Sequence, residues 1–152
     1  MRVVVQRCMK ASVRVENNTV GSIGKGLMLL VGFTYGDSEK EIDYMIDKII
    51  HLRIFDDENG VMNQSLLDVS GGILSISQFT LYADTRKGRR PSYIKALNGD
   101  EAKALYQLFN QKLRSAVELV EEGIFGADMK VDFINDGPVT IILEKEGDLD
   151  GK

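Results

Sequence analysis

Apolar residues recur at alternate positions near the start of the chain: Val3, Val5, Met9, Ala11, Val13 and Val15 share one parity, with mostly polar residues between them. A period of two predicts a long strand over residues 2–16 with one face buried. Arg7 falls on that apolar face and interrupts it. It is either an edge arginine whose stem is covered and whose head reaches water, or one that faces an interface or a site. Asn17-Asn18 predict a hairpin turn, since asparagine tolerates positive φ. Residues 19–23 would form the return strand, ending at Gly24 and Gly26. The run 27–34 is short and almost continuously apolar, the pattern of a central strand covered on both faces.

The period then lengthens. Ser38 and Glu41 have capping-box spacing, and Ile42, Met45, Ile46, Ile49 and Ile50 make a helical stripe that ends at His51. Residues 53–55 predict another strand, followed by a turn at Asp56-Asp57-Glu58-Asn59-Gly60. That turn lacks the spacing and closing glutamate of a calcium loop, so it reads as solvated. Gly71-Gly72 open a further strand. Its regular continuation puts Ile73, Ser75, Ser77, Phe79 and Leu81 on one face, and Leu74, Ile76, Gln78, Thr80 and Tyr82 on the other. Ser77 then points away from Gln78 and Thr80 unless a bulge re-aims it.

A second long helix is predicted over 98–122. Asn98 and Glu101 have capping-box spacing, Ala102, Leu105, Leu108, Phe109, Ala116, Val117 and Val120 supply the apolar face, and Gly123 supplies the stop. Two strands follow, 130–134 and 139–144, with Asn135-Asp136-Gly137-Pro138 as the hairpin turn between them. These elements predict an α+β fold, mainly antiparallel sheets in a barrel-like sandwich with two principal helices. Residues 1–146 form a single domain and 147–152 a polar, frayed tail.

Composition narrows the function. A chain of 152 residues can bury a real core. Its net charge of -4 opposes broad coating of nucleic acid but leaves room for a local basic contact. The longest apolar run is too short for a bilayer. The opening Met1-Arg2-Val3 has no apolar core or cleavage site, so no secretory signal is expected. The one cysteine, Cys8, cannot form an internal disulfide, which fits a reducing cytoplasm. With His51 the one histidine, a zinc site is not expected. His51 itself reads as a surface or packing residue at a helix end.

The candidate chemistry lies in Ser77-Gln78-Phe79-Thr80-Leu81, an apolar strand that abruptly carries polar groups. Those groups either bond to one another in the interior or meet a substrate. Arg86, Lys87, Arg89 and Arg90 follow in a glycine-containing loop, which is either solvated or aimed at phosphates. On their own residues, Phe125, Gly126 and Met129 read as packing after a helix.

Ser77-Gln78-Phe79-Thr80-Leu81, followed by Asn135-Asp136-Gly137-Pro138-Val139-Thr140, resembles the paired signatures of the D-aminoacyl-tRNA deacylases. The similarity extends to Met1-Arg2-Val3-Val4-Val5-Gln6-Arg7 and to Gly123-Ile124-Phe125-Gly126-Ala127-Asp128-Met129. The resemblance implies a hydrolase that frees D-amino acids, and glycine, from the 3′ end of tRNA. It implies Ser77, Gln78, Phe79 and Thr80 around the ester, with the Phe79 N–H on the developing oxyanion, and Phe125, Gly126 and Met129 around the terminal adenine. It also implies a homodimer with sites at the subunit interface and a cis Gly137-Pro138 inserted into the partner's site to reject L-residues. No cofactor is expected, and no metal ligands are identified in the sequence. Arg86, Lys87, Arg89 and Arg90 are then candidate phosphate contacts. Neither DNA nor a membrane is expected as a partner. Two mechanisms stay open: attack by water aided by the ribose 2′-hydroxyl, which the lack of an obvious base near Thr80 favours, or attack by Thr80. A catalytically silent module that binds the tRNA acceptor end is the alternative. A hydrolase of small esters fits the basic loop poorly.

Overall fold

In the computed structural model, which describes residues 1–147, strand β1 (Arg2–Val15) is the spine of the sheet. The rest of the predicted tail lies outside the described residues. Along one edge of β1 its neighbours are β2 (Asn18–Ile23) and β3 (Gly26–Gly32), both antiparallel. Residues 2–8 pair with β3 and residues 11–15 with β2. The hairpin turn falls on Glu16 and Asn17, whose φ values are 50° and 67°, one residue earlier than expected. Asn18 is already taken by the pairing with Val15.

Helix α1 (Glu39–His51) carries the predicted capping box: Glu41 accepts from the Ser38 N–H at 2.7 Å, and Ser38 caps the first turn. The strand expected over 53–55 is reduced to β4 (Phe55–Asp56), paired with β5 (Met62–Gln64). The turn between them is closed by the Asp57 carboxylate, which accepts from the Asn59 and Val61 N–H groups. A short α2 (Leu66–Val69) leads into β6 (Gly72–Ser77).

Helix α3 (Gly99–Ala116) is shorter than its apolar stripe. Val117 turns extended, and β7 (Val120–Glu122) pairs with β6 instead. A spacing of three between valines fits a helix face, but β-branched side chains also suit a strand. The capping box expected at Asn98 does not form, since its side chain makes no cap bond.

The last element, β8 (Lys130–Glu144), replaces the predicted hairpin by one continuous strand. It runs antiparallel to β1 along the other edge, from Arg2 opposite Glu144 to Arg14 opposite Lys130. In place of the expected turn, residues 136–139 loop out of register opposite Arg7.

The α+β, barrel-like architecture is as expected, although β3–β6 and β6–β7 are parallel. Each of those connections is a crossover that carries a long helix. The sheet curls until β2 lies against β7. A Cβ on Gly21 would stand 3.1 Å from the Glu122 carbonyl oxygen, so glycine permits the approach. Strands β3 and β6 are covered on both faces. Leu27, Leu29, Val31 and Ile73 pack with Ile42, Met45 and Ile49 of α1 and with Tyr106, Phe109 and Leu113 of α3. Met28, Leu74 and Ile76 pack with Cys8, Ala11 and Val13. Each such side chain contributes roughly 1.5–3 kcal/mol by leaving water. This two-sided core fixes β6, whose end carries the polar residues of interest.

Candidate active site

β6 does not continue through Tyr82. Gln78 still donates its N–H to the Val31 carbonyl at 2.7 Å, and then Phe79–Tyr82 coil into a 3-10 turn. Gly32 makes room for this corner, since a Cβ there would be 2.8 Å from the Gln78 carbonyl oxygen. The corner dissolves the alternation predicted for a regular strand, so Ser77 and Gln78 reach the same space. Thr80 follows on the turn, where its hydroxyl accepts a short hydrogen bond from the Gln78 amide. The Phe79 N–H opens the turn and has no backbone partner among the described residues. It is a donor left for something outside the fold.

That space is a pocket of about 430 Å³, lined by Ser77, Gln78 and Phe79 together with Phe125, Gly126 and Met129. Three of the four residues expected around the ester and all three expected around the adenine therefore share one cavity. Thr80 sits outside its lining, beside Gln78. The reading of the sequence missed the wall supplied by Phe33, Leu97, Asn98 and Ala102. The apolar period places Ala102 on a helix face, and only the meeting of α3 with the 78–79 corner turns that face into a wall. No titratable side chain among the described residues lines the pocket. Among the described residues no group of three or more His, Cys, Asp or Glu is arranged to hold a metal.

The floor is held from behind. Tyr106 of α3 donates its hydroxyl to the Ser75 carbonyl at 2.7 Å, and its ring lies 6.0 Å from that of Phe125. Burial pushes the Tyr106 phenol above its ordinary pKa, so it remains a donor. His51 is exposed at the end of α1, with Nδ1 2.9 Å from the Asp47 carbonyl, away from the pocket.

Gly137 and Pro138 do not meet the pocket of their own chain. They sit at the tip of the 136–139 bulge, exposed, with a cis bond between them. Asn135 closes the bulge by accepting from the Val139 N–H at 2.8 Å and donating to the Thr140 hydroxyl at 3.1 Å. Arg7 closes it from below. Its Nε donates to the Asp136 carbonyl and its Nη1 to the Ile54 carbonyl, both at 2.8 Å, with Asp56 3.2 Å away. The residue that broke the apolar face of β1 is thus buried and fastens two loops.

The basic loop is pinched at its neck by Asp84 and Ser92, which exchange backbone hydrogen bonds of 2.7 and 2.9 Å. Arg86 folds back on Asp84, with Nε and Nη2 2.9 and 2.7 Å from the two carboxylate oxygens. The guanidinium holds the Asp84 carboxyl well below the usual range. Lys87, Arg89 and Arg90 are exposed and make no ion pair among the described residues.

Comparison with known proteins places these features in a family. A model described as D-Tyr-tRNA(Tyr) deacylase matches residues 4–144. A D-aminoacyl-tRNA deacylase of Bacillus pumilus is 56% identical over 146 residues, covering 96% of this chain and 99% of that protein. Another, of Brevibacillus brevis, is 58% identical over 144 residues, covering 95% and 99%. Among solved structures, the c-Myc DNA unwinding element binding protein superposes with a TM-score of 0.91 at 41% identity, covering 97% of this chain and 100% of that one. A probable eukaryotic D-amino acid tRNA deacylase shares the fold, with a TM-score of 0.82 at 21% identity over 93% and 97% of the two chains. With a family match over nearly all of its length and relatives above half identity, the chain belongs to the D-Tyr-tRNA(Tyr) deacylase family.

Proposed function

We propose that the protein hydrolyses the ester that joins a D-amino acid, or glycine, to the 3′ end of tRNA. The observation that carries this reading is the chemistry of the pocket: among the described residues it offers a hydroxyl, an amide and a backbone N–H without a partner, and no titratable side chain in the lining. An aminoacyl ester is already activated and needs a stabilised oxyanion more than it needs a strong nucleophile. A preorganised donor such as the Phe79 N–H contributes roughly 3–4 kcal/mol to such a transition state. Ser77, Gln78 and Thr80 orient the ester, and the apolar surface of Phe125 and Met129, beside Gly126, receives the adenine. With no base in the lining, water assisted by the ribose 2′-hydroxyl is the attacking group.

The acting unit is a homodimer. Gly137 and Pro138 are exposed and lie outside their own pocket, a placement that suits insertion into the pocket of a second copy. Main-chain carbonyls of this segment then bind the substrate ammonium and leave no space for a side chain in the L configuration. Specificity arises by exclusion, so it does not depend on which D-residue is present.

The test is deacylation of D-tyrosyl-tRNA and L-tyrosyl-tRNA, side by side, by the purified protein. Release from the D-ester alone is the expected result. Release from neither, with tRNA still bound, would leave the silent acceptor-end module in its place.

A further inference from the structure

We propose that Phe79 and Tyr93, with Lys87, Arg89 and Arg90, form a second binding surface outside the pocket for the single-stranded nucleotides that precede the terminal adenosine of the substrate. This rests on the deacylase reading and extends it from the ester to the strand that carries it. In the single chain Phe79 lines the pocket mouth yet leaves 50% of its surface in water, and its ring meets that of Tyr93 edge to face, 5.2 Å between centroids. Tyr93 is 43% exposed and its neighbour Ile94 77%. A cluster of large apolar side chains left in water at the rim of a site marks a contact surface.

The segment is held before any ligand arrives. Ser92 is tied to Asp84 at the loop neck. The Lys95 carbonyl accepts from the Thr34 hydroxyl at 2.6 Å, and the Leu97 N–H donates to the Phe33 carbonyl at 3.0 Å. Tyr93 is thus fixed between two anchors, which lowers the entropy lost on binding.

Beyond the neck stand the cations. Arg86 is spent on Asp84, which leaves Lys87, Arg89 and Arg90 unpaired among the described residues. On a chain of net charge -4, this local excess of positive charge is complementary to a phosphodiester. Rings at the mouth with cations further out match a single strand, whose unstacked bases offer faces while its backbone offers phosphates. A duplex keeps its bases stacked on one another and has no use for the rings.

The experiment compares two substrates, D-tyrosyl-tRNA and D-tyrosyl-adenosine, the second of which ends at the adenosine. Tyr93→Ala should lower kcat/KM for the tRNA ester about tenfold, in line with the loss of one stacked base. The fall should come through KM and should be absent with D-tyrosyl-adenosine, which lacks the contacted nucleotides. Combined Lys87→Gln, Arg89→Gln and Arg90→Gln should flatten the dependence of log(kcat/KM) on log salt for the tRNA ester by about two, given a slope of roughly 0.7 per phosphate of a single strand. Equal losses on both substrates, or no loss on either, would overturn the surface. All the substituted side chains are exposed, so unchanged circular dichroism serves as the control for folding. If the unmodified protein cleaves neither substrate, the deacylase reading itself has failed, a result distinct from either of these.

Discussion

Replacing Arg7 by Met removes a buried fork while keeping an apolar stem of similar reach. Arg7 is only 6% exposed, and it donates to the Ile54 and Asp136 carbonyls at 2.8 Å each. Hydrogen bonds from a charged donor contribute roughly 1.5–3 kcal/mol net each, so losing both exposes the fold to about 3–6 kcal/mol. Removing a buried charge returns part of that as relieved desolvation. The carboxylates of Asp56 and Asp136 are about half exposed, so the ion pairs add little. About 3 kcal/mol remains, a large share of the roughly 5–15 kcal/mol that holds a domain together. With a urea m-value of about 2 kcal/mol/M, the unfolding midpoint should fall by about 1.5 M. Far-UV circular dichroism at one fixed protein concentration reads this, because the midpoint of the proposed dimer would depend on concentration. Deacylation of D-tyrosyl-tRNA should fall as well, since the 136–139 bulge loses its anchor. Arg7→Lys keeps the charge but not the fork and should lie between the two. A midpoint within about 0.3 M of wild type, with full turnover, would show that the arginine fastens neither loop.

The bulge and the core make two further predictions. In Gly137→Ala the new Cβ would stand 2.8 Å from Val139 Cγ2 and 3.0 Å from Arg7 Nη2, at a φ of 134° that L-residues rarely adopt. Hydrolysis of the D-ester should drop at least about tenfold as the bulge shifts, and undiminished turnover would place this segment away from the substrate. Burial pushes the Cys8 thiol up to about 11, so at pH 8 a thiol reagent should label it only on unfolding. The unfolded thiol ionises from about pH 8.5. Between there and the folded value the unfolded state binds fewer protons, so stability falls as pH rises. Urea midpoints at pH 8 and pH 10 should show this fall, and Cys8→Ala should remove most of it.

Much of the fold was legible because single elements obey local rules. The two-residue period of β1, the double-faced run of β3, and the Ser38–Glu41 cap all depend on neighbours in sequence, and all are present. Met9 shows where the period misleads: it keeps the parity of Val5 and Ala11 yet is 59% exposed. β1 loses its regular pairing with β8 around Cys8 and resumes it at Lys10, so parity there does not report on burial. Val117 and Val120 mislead similarly, because what draws them from the helix is the open edge of β6, which no local pattern announces.

The candidate site was legible as chemistry but not as geometry. Ser77 and Gln78 announced themselves as polar groups in an apolar run, yet strand alternation put them on opposite faces. Gly32, far away in sequence, admits the corner that joins them. The same applies at Arg7. As a residue of β1 it is a cation on the wrong face, which the strand alone reads first as an edge arginine with its head in water, whereas it is buried. It makes sense only once β8 is laid along β1 and found to hold more residues between Asn135 and Thr140 than β1 offers between Gln6 and Cys8. The surplus must loop out, and a looped backbone carries carbonyls without ladder partners. A buried guanidinium opposite the loop supplies a donor for one of them, that of Asp136. The misplaced charge and the missing hairpin are therefore two views of one mismatch in length between paired strands, and neither strand read alone contains it.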